Sequence, residues 1–193
     1  YVGTGDLPNQ AEGNGVYKST DGGKTWTHTG LADTLIINSI VIDPRNPDEV
    51  LVGAMGGQKP SEARGVYRTT DGGKTWQRVL FQDDQTGVAD LALDPNNPDV
   101  AYAALWRAVF APGRKPEPGP NAWIYKTTDG GKTWQQIPGR GLPDGRWGRT
   151  GIAVAPGNGG RRLYAILSEG LFRSDDAGDT WRRITNDPRV TGN

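Results

Sequence analysis

Short runs of strand-forming residues alternate with polar, glycine- and proline-rich stretches along the whole chain. Gly15-Val16-Tyr17-Lys18, Gly65-Val66-Tyr67-Arg68, Trp123-Ile124-Tyr125-Lys126 and Gly170-Leu171-Phe172-Arg173 are four such runs. Each is rich in β-branched or aromatic residues and bounded by turn formers, so each predicts a strand. Ser39 to Ile42, Val50 to Ala54, Val88 to Leu93, Val100 to Leu105, Thr150 to Ala155 and Leu163 to Leu167 predict further strands. Tyr1-Val2-Gly3-Thr4-Gly5 predicts one more at the start. Asp43-Pro44-Arg45-Asn46-Pro47-Asp48 and Asp94-Pro95-Asn96-Asn97-Pro98-Asp99 predict tight proline-bracketed turns between paired strands.

One eight-residue stretch occurs four times and divides the pattern into units. It reads Ser19-Thr20-Asp21-Gly22-Gly23-Lys24-Thr25-Trp26 at first. It returns as Thr69 to Trp76 and as Thr127 to Trp134, and in a looser form as Ser174 to Trp181. The tryptophans recur about 50 residues apart, the period of a propeller blade rather than of a helical solenoid. Each copy joins two predicted strands. Asp-Gly-Gly is a hairpin signal, because glycine supplies positive φ without steric cost and the aspartate accepts hydrogen bonds from turn amides. The tryptophan needs burial, most simply against its own blade.

Other chemistries fit these copies less well. Their spacing does not match a calcium-binding EF-hand loop. Gly-Gly-Lys-Thr lacks the earlier glycine of a phosphate loop and no helix follows it. A catalytic aspartate is unique in an active site, whereas this one has four equivalents. The copies therefore read as structural corners, built on Asp21, Gly23, Thr25 and Trp26; Asp71, Gly73, Thr75 and Trp76; Asp129, Gly131, Thr133 and Trp134; and Asp176, Gly178, Thr180 and Trp181.

The pattern Ser/Thr-x-Asp-x-Gly-x-Thr-Trp resembles the Asp-box, or BNR, repeat. That repeat is found in sialidases, in xyloglucan-cleaving glycoside hydrolases, and in sortilin-type Vps10 propellers with their bacterial relatives. Three copies match fully, and the fourth matches at Ser174, Asp176, Gly178, Thr180 and Trp181. The chain is most similar to bacterial sortilin-like BNR proteins, often labelled glycosyl hydrolases. The resemblance implies an all-β propeller, with the box lying away from any active site, and a secreted or periplasmic location.

Labelling the strands of each unit A to D gives B-C-D and then three full A-B-C-D units. The expected architecture is a β-propeller segment of about four blades, the first lacking its innermost strand, with a box in every C–D hairpin. The expected single domain comprises a partial blade at 1–30, blades at 38–81, 88–138 and 149–185, and a polar, loose tail at 186–193. It reads as part of a larger ring, which a second copy or a second propeller segment would complete through its open edges.

Composition narrows the function. Among 193 residues, 29 are glycine and 14 are proline, which suits many turns and few helices. The formal net charge is zero, which argues against a nucleic-acid partner. The absence of cysteine excludes disulfides and thiolate metal sites. No apolar run reaches the ~20 residues of a membrane helix, so no membrane insertion is expected. No cofactor or metal is expected either.

In the expected topology the A–B and C–D turns share one face, and they are short and repetitive. The B–C and D–A loops share the other face, and they are long and varied: 6–14, 30–37, 56–64, 82–87, 107–121 and 139–149. Insertions on one face of a repeat protein mark its binding face. Asp83, Asp84, Trp106, Arg107, Arg146, Trp147 and Arg149 are the candidates there. Arginines beside tryptophans suit a carboxylate, a sugar or a peptide; the competing reading has Trp106 and Trp147 packing the loops down. A glycosidase needs two carboxylates at a set separation. Asp6, Glu12, Glu62, Asp83, Asp84, Glu117 and Asp144 lie on this face, but nothing along the chain pairs them. No catalytic residue is assigned. The favoured reading is a non-enzymatic scaffold binding a peptide, protein or glycan. A glycoside hydrolase segment and a self-assembling structural unit are the alternatives.

Overall fold

The computed structural model describes residues 1–5, 12–57, 59–107, 119, 121–144 and 147–191. They form four antiparallel sheets in chain order. The first has three strands: β1 (Val2–Gly3), β2 (Val16–Lys18) and β3 (Thr27–His28). The second runs β4 (Ile37–Ile42), β5 (Val50–Ala54), β6 (Gly65–Thr69) and β7 (Gln77–Leu80). The third runs β8 (Thr86–Leu93), β9 (Ala101–Arg107), β10 (Ile124–Thr127) and β11 (Gln135–Gln136). The fourth runs β12 (Gly151–Val154), β13 (Leu163–Leu167), β14 (Gly170–Ser174) and β15 (Arg182–Thr185). Every neighbouring pair is antiparallel and sequential, so the all-β, B-C-D then A-B-C-D reading holds.

Two details differ from expectation. The sequence pattern starts the last strand of each unit at the box tryptophan, and the strand begins one residue later. The tail is not simply loose: Pro188–Thr191 form one helical turn, α1, against β14. Asp187 starts it, its side chain accepting from the Arg189 amide at 2.9 Å, and Pro188 has no amide to leave unsatisfied.

The four boxes share one hydrogen-bond set. The hydroxyl of Ser19, Thr69, Thr127 or Ser174 donates to Oδ1 of the aspartate two residues on, at 2.7–2.8 Å. That hydroxyl also accepts from the amide of Gly23, Gly73, Gly131 or Gly178, at 2.8–3.0 Å. Oδ1 accepts a second bond from the amide of Thr25, Thr75, Thr133 or Thr180, at 2.9–3.0 Å. Oδ2 accepts the hydroxyl of the same threonine at 2.5–2.6 Å. In the first box Gly22 and Gly23 take φ of 72° and 86°, the left-handed region that glycine occupies freely. In the fourth box Ala177 holds the first of these positions at φ 62°. Donors aimed at an ionised carboxylate favour that ionised form. The Thr25 hydroxyl, then the Thr25 amide and the Ser19 hydroxyl, hold Asp21 down to about 2. Thr75 holds Asp71, and Thr133 holds Asp129, well below the usual carboxylate range. Burial pushes Asp176 up, but the bonds from Thr180 and Ser174 outweigh it and leave it at about 2.

Consecutive sheets stack face on face. Val52 and Tyr67, paired across β5 and β6, sit in a cluster with Val16 of the first sheet. Ala103 and Tyr125, paired across β9 and β10, sit with Leu51 and Val66 of the second. Ala165 and Phe172, paired across β13 and β14, sit with Tyr102, Ala104 and Ile124 of the third. Close approach needs small residues: a Cβ on Gly53 would lie 2.7 Å from a Val88 methyl carbon. The inner edge of the first sheet meets the chain entering the second, where the Ile37 amide donates to the Thr4 carbonyl at 3.0 Å.

The box tryptophans sit at these seams, so their burial is shared between their own blade and the preceding one; Trp26, Trp134 and Trp181 donate Nε1 to their own box glycine. Trp76 donates from Nε1 to the Thr29 carbonyl of the preceding sheet at 2.7 Å. Trp134 donates Nε1 to its own Gly131 carbonyl at 3.2 Å and packs against a cluster shared by the second and third sheets, with Val66 and Val79 on the second-sheet side. Trp181 shares a cluster with Ile137 and Tyr102 of the third sheet. The indole is long enough to reach past its own strand, and the neighbouring sheet offers the larger apolar surface. Trp26, on the first described sheet, is 45% exposed, whereas Trp181 is 6% exposed.

Two measurements check this account. In thermal or denaturant unfolding, Trp181→Ala costs about 3–5 kcal/mol, Trp76→Ala somewhat less, and Trp26→Ala and Lys74→Ala under about 1 kcal/mol. Equal midpoints for the Trp181 and Trp26 variants would remove the stacking role. The box aspartates titrate below their ordinary value of 3.8, so their contribution to stability is complete above that value and is lost as pH falls toward about 2. Melting temperature therefore drops between pH 4 and pH 2, and the drop is smaller in Asp71→Asn, which has one such carboxylate fewer.

Candidate functional site

The loop edge, formed by the B–C and D–A connections, is organised around a residue with no motif to announce it. Arg64, just before β6, is fully buried. Its Nε donates to the Asp84 carbonyl at 2.8 Å, and one terminal nitrogen donates to Gly57 and Lys59 carbonyls at 2.6 and 2.9 Å. The other terminal nitrogen donates to the Met55 carbonyl. The guanidinium thus ties the 55–64 loop to the 81–86 loop through backbone carbonyls. Gly56 makes room for it with φ of 72°; a Cβ there would lie 2.8 Å from Arg64 Cγ. Burial pulls the Arg64 pKa down to about 10, with Asp83 and Asp84 opposing the fall, so the group stays charged at neutral pH. Met55, which reads from sequence as filler near a strand end, is fully buried beside Ile36, Ala89 and Trp106.

Asp83 caps the turn into β8. Its Oδ1 accepts from the amides of Gln85 and Thr86 at 2.8 and 2.7 Å, and its Oδ2 accepts from Asn121 Nδ2 at 2.5 Å. Burial alone would raise its pKa; the bonds from Asn121 and the turn amides overcome that and lower it. Beside it, Arg107 at the end of β9 donates Nε and a terminal nitrogen to Gln85 Oε1 at 3.0 and 2.7 Å. The structure thus brings Asp83 and Arg107 into one polar cluster with Gln85 and Asn121. Asp84 adjoins it and is half-buried, with its carbonyl holding Arg64 and accepting from the Ser61 amide at 2.7 Å.

The tryptophans serve packing. Trp106 is 8% exposed within the small cluster around Met55. Trp147 is wholly buried and stacks on Trp123, with centroids 4.4 Å apart and planes at 21°. Its Nε1 donates to the Pro143 carbonyl at 2.9 Å. Neither ring is presented as an open platform, so the competing packing reading describes both. Arg149 and Asp144 are exposed on the 139–149 loop, away from the Asp83 cluster in sequence and in bonding. Arg146 and the carboxylates Asp6 and Glu117 lie outside the described residues. Glu12 and Glu62 are exposed.

A second carboxylate escaped the sequence reading. Asp90, on β8 beside a register shift, bonds three sheets together. Its Oδ1 accepts from Ser39 Oγ of β4 at 3.3 Å, and its Oδ2 accepts from the Ile152 amide of β12 at 3.0 Å. Its inward setting in an otherwise apolar strand was the available signal. Elsewhere, two equivalent polar grooves run along the outer rim between sheets. One is lined by Lys18, Thr25, Thr27 and Lys74, the other by Lys126, Thr133, Gln135 and Asp179. Among the described residues no group of three or more His, Cys, Asp or Glu is placed to hold a metal ion.

The Arg64 cradle predicts a large stability effect and a specific failure of the charge-conserving swap. Arg64→Ala costs about 3–5 kcal/mol, because four carbonyls each lose a donor and a cavity opens. Arg64→Lys recovers only part of this, since one ammonium cannot span the same fork of acceptors. Chemical denaturation of the two variants measures the difference; wild-type stability in either would remove the cradle from the account.

Comparison with known proteins places the fold in context. A xyloglucanase from Paenibacillus sp. is 35% identical over 111 residues, which is 54% of this chain and 10% of that protein. An ancestral GH74 enzyme superposes with a TM-score of 0.71 at 22% identity, over 93% of this chain and 22% of its own. The GH74 xyloglucanase from Xanthomonas campestris superposes with a TM-score of 0.63 at 20% identity, over 93% of this chain and 28% of its own. The chain thus spans a small part of each of these proteins, and the structural likenesses establish a shared propeller fold. The Sortilin-Vps10 family model (sortilin, neurotensin receptor 3) matches residues 14–142. That match takes in three of the four boxes and well over half of the sequence, and this chain belongs to the Sortilin-Vps10 family.

Proposed function

We propose that the chain is a non-catalytic, glycan-binding propeller sector of an extracytoplasmic protein, holding a β-glucan of the xyloglucan type along its loop edge. The observation that carries the non-catalytic part is the state of the carboxylates. A glycosidase needs a carboxylic acid whose pKa is raised so that it stays protonated, opposite a partner carboxylate. Asp83, half-enclosed in the loop cluster, is displaced downward by the donors around it. Asp90 has both oxygens engaged in joining strands. Asp83 is thus a structural anion and a poor proton donor at neutral pH, and the Asp90 oxygens are taken up by strand-joining bonds. The ligand class rests on the 35% identity to a xyloglucanase. Exposed Arg149 and the Gln85–Arg107–Asn121 cluster supply the hydrogen-bonding groups that a polyhydroxylated chain takes.

The same identity supports a second reading. The chain would then be one sector of a glycoside hydrolase whose acid and base are completed by residues beyond these sheets. Among the described residues no helix is long and apolar enough to cross a membrane, which accords with either reading.

Affinity electrophoresis in xyloglucan, with release of reducing ends measured on the same samples, separates the two. The expected result is retardation by xyloglucan without release of reducing ends, and retardation weakened about tenfold in Arg149→Ala. Release above the blank would move the assignment to the hydrolase reading. Migration unaffected by xyloglucan but shifted by peptides would replace the glycan, and indifference to both would sink the loop edge as a binding surface.

A further inference from the structure

The turns between the first two strands of the last three sheets repeat one backbone plan. Asn46, Asn97 and Asn158 hold its central position: their carbonyls accept from the amides of Glu49, Val100 and Arg161, at 3.0, 2.9 and 3.3 Å. All three asparagines are exposed. Asn46 and Asn97 stay exposed although a further sheet follows theirs, so an open Asn158 is a property of the position. The three differ in what comes next. Asn46 and Asn97 precede Pro47 and Pro98, whose nitrogens carry no hydrogen. Asn158 precedes Gly159.

The side chains differ as well. Asn46 Oδ1 accepts from the Asp48 amide and Asn97 Oδ1 from the Asp99 amide, both at 3.2 Å. The Asn158 side chain has no such partner among the described residues. Around Gly159, a Cβ would meet nothing within 4 Å. The chain holds one more Asn-Gly pair, and that one is locked. Asn14 Oδ1 accepts from the Tyr17 hydroxyl at 3.0 Å, its carbonyl accepts from His28 Nε2 at 2.7 Å, and its amide donates to Thr4 Oγ1 at 2.9 Å. Gly15 is buried, and a Cβ there would overlap the Gly30 carbonyl oxygen.

We infer that Asn158 is a self-modification site, at which the chain converts its own asparagine into an acid. The Gly159 amide nitrogen attacks the carbonyl carbon of the Asn158 side chain. A carbon–nitrogen bond forms in a cyclic imide, and the side-chain nitrogen leaves as ammonia, taking up the amide proton. Water then opens the imide. Cleavage at the side-chain carbonyl gives aspartate. Cleavage at the main-chain carbonyl gives isoaspartate, with the side-chain methylene now part of the backbone. Water enters, ammonia leaves, and no oxidant or cofactor is needed. Proline blocks the same step in the two sister turns, because its nitrogen has no hydrogen to give up.

The site sits between two contacts with the preceding sheet. Asn96 Nδ2 donates to the Pro156 carbonyl at 2.7 Å. Gly160 packs so closely on the buried Asp94 that a Cβ would overlap its carboxylate. Just beyond, the Arg161 carbonyl accepts from the Ala177 amide of the fourth box at 2.8 Å. Isoaspartate lengthens the backbone between these anchors, so the modified turn no longer fits both, and the junction of the third and fourth sheets loosens. The inference does not rest on the glycan reading, since this turn is not on the loop edge.

Prolonged incubation at neutral pH, followed by peptide mass mapping that separates aspartyl from isoaspartyl forms, tests it on the wild type, Asn158→Gln and Asn158→Asp. Near-ultraviolet circular dichroism verifies that each variant is folded at the start. The wild type is expected to release ammonia and to gain both forms at position 158, while peptides holding Asn14, Asn46 and Asn97 stay unchanged. Its melting temperature is expected to fall as the isoaspartyl form accumulates. Asn158→Gln, whose longer side chain closes the ring slowly, is expected to release little ammonia and to keep its melting temperature. Fresh Asn158→Asp, with the new charge on a backbone of normal length, is expected to melt with the fresh wild type. An unmodified Asn158 overturns the site, and equal modification of Asn14 overturns its selection by the structure. A modified wild type with an unchanged melting temperature overturns the effect on the junction.

Discussion

An ionised carboxylate surrounded by donors from its own turn is the interaction on which the architecture rests. Each box aspartate takes two hydroxyls and at least one amide from residues within four positions of it. Nothing distant is needed, so the corner can form before the sheet around it. The corner then fixes where strand three ends, where strand four begins and in which direction the following indole leaves. A reversal of the chain, a register and a packing vector thus follow from a single charge. The fourth copy shows which parts are essential. It has Ala177 at a positive-φ position that elsewhere is glycine, yet it retains the set of bonds that all four boxes share around Asp176. The carboxylate network tolerates the strain of one alanine in the left-handed region.

The second layer of organisation lies between sheets. A propeller blade buries neither face alone, so each junction must bring apolar surface from both sides. Here the box contributes directly, sending its tryptophan across the gap. Short polar links reinforce the outer rim: Lys18 pairs with Asp48, and Arg45 bridges Asp43 and Asp99 of the following sheet. Such exposed ion pairs are worth little singly. Their placement at successive A–B turns favours one angular setting of the sheets. Asp90 does the same on the inner side, and from a more sheltered position.

Much of this was legible in the sequence because it is local. A two-glycine turn after an aspartate, a Thr-Trp exit and a run of strand formers before it all act within eight residues. Strand order followed from the period, since antiparallel neighbours joined by short turns leave few alternatives. The loop edge was harder to read. Arg64 looks like any arginine between a polar loop and a strand; only folding brings four carbonyls around it. Trp147 looked available because it sits between arginines, but its partner Trp123 is far away along the chain. Asp83 looked like binding chemistry and is engaged in holding a turn. The part of the preceding sheet in burying the box tryptophans was missed for a related reason. A one-dimensional repeat specifies that an indole needs burial, not which sheets share it.

The Arg64 cradle has an electrostatic consequence of its own. Its positive charge is met by backbone carbonyl dipoles and not by a bonded carboxylate. Dipoles fixed in a buried loop are not displaced by dissolved ions, as exposed charge partners are. The rim pairs at Lys18–Asp48 and Arg45–Asp99 weaken as salt is added, while the cradle keeps its strength. The two edges of the stack thus respond differently to their medium: the box edge is held by contacts that ionic strength can loosen, and the loop edge by one that it cannot reach.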